Sequence, residues 1–112
     1  MLKLNIVLES AKEILKIIKA TAREFIPDAE VMLFGSKARG ESHSDSDYDI
    51  LVITYEDLSP KAKFPLRTSI RVALLKKGIR SDILIQGKNE IEKKKKLPGH
   101  VIKNIFNEAI ML

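Results

Sequence analysis

Apolar positions in the first quarter of the chain recur at helical spacing. Leu4, Val7, Leu8, Ala11, Ile14, Leu15, Ile18, Ala22 and Phe25 stand mostly three or four residues apart, with lysine and glutamate between them. That spacing predicts one amphipathic helix over residues 4–25 with its apolar stripe on a core. Pro27-Asp28 ends it. The pattern then changes. Val31-Met32-Leu33-Phe34 and Tyr48–Thr54 are short apolar runs, the second containing Ile50, Leu51, Val52 and Ile53. Such runs predict strands covered on both faces. Between them, Ser36–Arg39 fits a turn of helix and residues 41–46 a polar loop.

The second half repeats the alternation. Residues 56–63 read as loop. Pro65 suits the first turn of a helix whose stripe is Leu66, Ile70, Ala73 and Leu74, and Gly78 stands where a helix C-cap is expected. Arg80–Gln86 predicts a third strand, and residues 90–96 a short solvated helix. Pro98 opens a helix to about Asn107 through Val101, Ile102, Ile105 and Phe106. Ala109–Leu112 adds a final strand. The order predicts an α/β (α+β) fold, a small mixed sheet with helices packed on it. At 112 residues the expectation is a single domain, 1–112.

Composition narrows the classes. No apolar run approaches the roughly 18 residues a membrane span needs. Glu9, Lys12 and Glu13 break up any secretory leader, and the chain has no cysteine, so neither a disulfide framework nor a thiolate metal site is expected. The expected location is the cytoplasm, away from membrane. The net charge of +5 is uneven: residues 1–60 carry 7 Lys/Arg and 11 Asp/Glu, residues 61–112 carry 13 and 4. The basic half offers a polyanion surface, but few aromatics interleave with its charges as single-strand binding requires. Lys93–Lys96 reads as a solvated face, and His43 and His100 as surface residues without metal-ligand partners.

Chemistry concentrates where the first strand stops. Gly35-Ser36 gives a turn whose backbone a phosphate can approach, and Ser36 adds a hydroxyl. Lys37 and Arg39 add cations. No Gly-Lys-Ser/Thr follows, so this is not a Walker A loop. Asp47 and Asp49 then open the second strand. Two apart on a strand, they project from one face, and such a like-charged pair calls for a cation. Magnesium suits carboxylates and phosphates together. Asp82 is an acid at the head of an apolar strand, where burial without a partner would be costly. If its strand lies beside the second, the three carboxylates can hold two divalent ions, Mg2+ or Mn2+, for in-line attack at phosphorus. The plainer alternatives are an ordinary strand-to-helix turn, strand-end acids, and Asp82 pairing with Arg80 or Lys77.

The string Phe34-Gly35-Ser36-Lys37-Ala38-Arg39-Gly40 to Ser46-Asp47-Tyr48-Asp49, with Asp82 and the closing Asn107-Glu108-Ala109-Ile110, resembles the minimal nucleotidyltransferases related to DNA polymerase beta. The resemblance implies the nucleotidyltransferase fold. It also implies catalytic and metal-binding roles for Asp47, Asp49 and Asp82, nucleotide or phosphate binding by Gly35, Ser36 and Arg39, and ATP as substrate; Lys37 receives no role. It further implies a partner. Minimal members are commonly encoded beside a HEPN toxin, an RNase, which they neutralise as antitoxins by transferring AMP to a tyrosine. A chain this short has little to hold an acceptor, so a partner or a second copy would complete that side. The competing expectations are an antitoxin that masks its toxin by binding alone, and a nucleic-acid-binding protein that uses the basic half.

Overall fold

The computed structural model describes residues 2–40 and 46–112, with side chains from residue 11 onward. The predicted polar loop, and His43 within it, fall almost wholly outside the described residues. The elements are α1 (Leu2–Phe25), β1 (Glu30–Phe34), α2 (Gly35–Arg39), β2 (Tyr48–Thr54), α3 (Pro60–Lys76), β3 (Ser81–Gly87), α4 (Lys88–Lys95), α5 (Val101–Glu108) and β4 (Ile110–Met111).

The four strands form one mixed sheet in the order β3-β2-β1-β4. β1 runs antiparallel to both β2 and β4, and β2 runs parallel to β3. A parallel pair needs a crossover, and α3 provides it. Every residue from Ile50 to Thr54 is buried, as expected of a strand covered on both sides. Alternation along β2 sorts its side chains into two cores. Ile50 and Val52 join Ile18 and Ala22 of α1 and Ile70 and Leu74 of α3. Leu51 and Ile53 join Ile91 of α4 and Ile102 and Ile105 of α5. The fold is therefore three layers, with α1 and α3 on one face of the sheet and α4 and α5 on the other.

Two helix starts differ from the reading of prolines. α3 begins at Pro60, inside the predicted loop, and Pro65 lies within the helix. Ser59-Pro60 is the stronger signal, because it joins an N-cap to a proline at N1: the Ser59 hydroxyl accepts the Ala62 N–H at 3.1 Å. α5 begins at Val101, not Pro98. His100 caps it, its Nδ1 accepting the Ile102 N–H at 3.1 Å. α4 is not only a solvated face, since Ile91 is buried beneath it. Among the described residues no helix is long and apolar enough to cross a membrane.

Candidate active site

The turn after β1 and the head of β2 are adjacent because β1 and β2 pair in register. Phe34 stands opposite Asp49, so Gly35 falls directly over the Asp49 side chain. A β-carbon on Gly35 would lie 2.9 Å from Cγ and 3.2 Å from Cβ of Asp49, and closer still to a carboxylate oxygen. Gly35 also has φ of 74°, in the left-handed region where a side chain is strained. Space and backbone both demand glycine here. Sequence reasoning found the residue but not this contact with the acid.

The parallel pairing of β2 with β3 places Asp49 opposite Asp82. Asp49, Asp82, Leu51 and Leu84 share the alternation, so both acids project toward the α4/α5 side of the sheet. Asp82 is exposed at the strand head and avoids the burial cost its apolar neighbours suggested. Asp49 is half-buried. Its carboxyl is pushed above the ordinary carboxylate range by burial first, then by the charges of Asp82 and Asp47, while Arg39 partly offsets them.

Asp47 precedes β2 and is exposed. Its carboxylate meets the Arg80 Nε at 3.2 Å. Of the two cations weighed as partners for Asp82, Arg80 lies against Asp47, and Lys77 against Thr21 and Glu24 of α1 at 2.7 and 3.9 Å. Tyr48, between the two acids, turns to the other face, packs on the α1/α3 core and carries the Lys37 ammonium 4.5 Å above its ring.

The donor set suits a divalent metal in part. Asp49 and Asp82 are hard oxygen ligands crowded by like charge, and a cation would relieve that repulsion. Among the described residues, however, no three carboxylate or histidine side chains converge closely enough to hold an ion as they stand. Asp47 is engaged elsewhere. Its exposed ion pair with Arg80 is of a weak kind, worth about 0–1 kcal/mol, and a divalent ion would compete for it readily.

A fourth acid was missed as a site residue. Glu108, at the end of α5, accepts the Gly35 N–H at 3.2 Å through Oε1 and the Arg39 guanidinium at 2.8 Å through Oε2. The Arg39 hydrogen bond holds its carboxyl below the usual range. The available signal was an acid at the junction of an amphipathic helix and a final strand, but nothing in its spacing tied it to the turn 73 residues earlier.

A glycine turn packed against paired carboxylates, at the head of a parallel strand pair in a small mixed sheet, defines a class of phosphate-handling α/β domain. The chain belongs to the nucleotidyltransferase domain family, whose model matches residues 12–112, and is a nucleotidyltransferase. It is 33% identical over 103 residues to the protein adenylyltransferase MntA of Thermococcus cleftensis, covering 92% of this chain and 93% of that protein. A solved structure described as a minimal nucleotidyltransferase superposes with a TM-score of 0.59 at 27% identity, over 94% of this chain and 95% of the other. The structure of a toxin–antitoxin with AMP-PNP superposes with a TM-score of 0.57 at 25% identity, over 88% and 70%. The nucleotidyltransferase fold expected from the sequence is the fold observed.

Proposed function

We propose that the chain transfers AMP from ATP to a hydroxyl of a partner protein, a tyrosine of a HEPN toxin, and thereby acts as an antitoxin. The observation that carries the reading is the cross-strand pairing of Asp49 with Asp82 beneath the Gly35 turn. The likeness to a protein adenylyltransferase supports AMP as the group transferred, and the likeness to a toxin–antitoxin structure bearing AMP-PNP supports the partner and ATP.

In this reading the acceptor oxygen bonds to the α-phosphorus, the bond from that phosphorus to the β-phosphate oxygen breaks, and pyrophosphate leaves with its electron pair. Asp49 and Asp82, joined by Asp47 on release from Arg80, would hold the divalent ions. Bound there, Mg2+ would neutralise phosphate charge and make the hydroxyl more acidic. Ser36 contributes a hydroxyl to the triphosphate, and Gly35 contributes room for it. The proton of the acceptor hydroxyl would pass to Asp82 as the bond to phosphorus forms.

The test is incubation of the protein with ATP labelled at the α-phosphate, Mg2+ and the product of the neighbouring gene. Label should move to the partner, mass spectrometry should find one added AMP on tyrosine, and Asp47→Asn, Asp49→Asn and Asp82→Asn should each reduce transfer about 100-fold or more. A triple Asp→Asn protein that still neutralises the toxin fully would replace catalysis with masking.

A further inference from the structure

The proposed chemistry gives Glu108 no task, yet both of its carboxylate oxygens are engaged on the turn. One oxygen takes the N–H of Gly35 and the other the guanidinium of Arg39. These are the first and last residues of α2, so a single carboxylate bridges both ends of the segment. Gly35 is also the residue packed on Asp49. Fixing Gly35 therefore fixes the spacing between the turn and the acid. Glu108 itself is not a loose arm. Ile110, two residues on, pairs with Leu33 in the sheet, and Ala109 donates its N–H to Ile105 at 2.9 Å. Backbone structure on both sides delivers the carboxylate to the turn.

We propose that Glu108 is a positioning residue of the nucleotide site: it holds the Gly35–Arg39 turn at the distance from Asp49 that a bound triphosphate requires. The inference rests on the nucleotidyl-transfer reading and adds a residue to it. It also reassigns two others. The Gly35 N–H and the Arg39 guanidinium serve the shape of the turn through Glu108. The Arg39–Glu108 pair is partly exposed, with side chains 42% and 31% accessible, so its removal should leave the fold intact. Small displacements at a reacting centre are nonetheless expensive: about 1 Å can cost about 100-fold in rate.

Glu108→Gln tests this directly, because the amide keeps the shape but cannot accept from both donors. Titration calorimetry with Mg-ATP should show affinity weakened about tenfold or more, with an unchanged circular dichroism spectrum. Hydrogen exchange at the Gly35 amide, followed by NMR without nucleotide, should accelerate to a similar degree. In transfer assays KM for ATP should rise while KM for the acceptor stays put, a split that loss of folded protein does not produce. Arg39→Ala combined with Glu108→Gln should be no worse than the weaker single variant, since the two act as a unit. Unchanged affinity and exchange in Glu108→Gln overturn the proposal. So does tighter Mg-ATP binding, which would make Glu108 an internal anion that triphosphate displaces. A wild-type protein that binds no Mg-ATP sinks the nucleotidyl-transfer reading and this inference together; equal binding by wild type and variant sinks this inference alone.

Discussion

Asp49 carries the sharpest conflict between stability and use. Burial and two neighbouring acids raise its carboxyl pKa, so the fold disfavours the charged form. A group of that sign contributes stability below its unfolded pKa, near 3.9, and loses it as pH rises through the folded value. At neutral pH without metal, Asp49 is therefore a net cost. Asp49→Asn should raise the melting temperature in EDTA by roughly 2 °C, corresponding to about 0.5 kcal/mol for a partly exposed group, while abolishing transfer. Added Mg2+ should stabilise the wild type by mass action and leave the variant where it was. A lower melting temperature for Asp49→Asn in EDTA would show that hydrogen bonding, not repulsion, governs this carboxyl.

At the scale of elements, apolar pattern was sufficient where packing alone decides structure. Residues 50–53 are apolar without a break and are buried on both faces, and the spacing from Ile14 to Phe25 belongs to one long helix. Pattern was not sufficient where an element is set by a partner far along the chain. α4 shows why. Its N-cap is Gly87, which has no side chain to cap with. Asp57, from the stretch before α3, accepts the Glu90 N–H at 3.4 Å instead, and a β-carbon on Gly87 would come within 2.9 Å of the Asp57 Cα. Glu90 accepts the Gly87 N–H at 2.9 Å and the Lys63 ammonium at 2.8 Å, tying α3 to α4. No local motif reports a cap borrowed from 33 residues away, and Glu108, quoted only within the closing string, received no site role for the same reason. Burial alone would raise the Glu90 carboxyl, but Lys63, the Gly87 N–H and Lys94 outweigh it and hold it below its usual range. Its contribution is thus present above an unfolded pKa near 4.3 and lost as pH falls through the lower folded value. Glu90→Gln should cost about 1.5 kcal/mol at pH 7 and flatten the stability profile at acid pH, measured by urea denaturation between pH 7 and pH 3. An unchanged profile would assign the acid sensitivity to other carboxylates.

At the scale of the whole fold, the sheet is closed by residues 109–112, and this closure reaches the site. β4 pairs with β1 through Leu33–Ile110 and Met32–Met111, and the Leu112 N–H reaches the Val31 carbonyl at 2.9 Å. Leu112 packs on the α1/α3 core and Ala109 on the α4/α5 core, so four residues bind both layers to the first strand. They also hold the end of α5 against the Gly35 turn. Removing residues 109–112 takes away a partly buried leucine, worth about 1.5 kcal/mol, and two or so backbone hydrogen bonds of about 1 kcal/mol each. The truncated chain should lose about 3.5 kcal/mol and melt roughly 14 °C lower. It should also bind Mg-ATP less tightly at a temperature where it remains folded, although Gly35, Ser36, Asp47, Asp49 and Asp82 are untouched. Met111→Lys is the control: Met111 is exposed, so the variant keeps the strand pairing and should match the wild type in both measurements. If truncation lowers stability but leaves Mg-ATP affinity intact, the sheet and the site are separate structures. If both fall together, the carboxylates at the head of β2 depend on a strand at the far edge of the sheet.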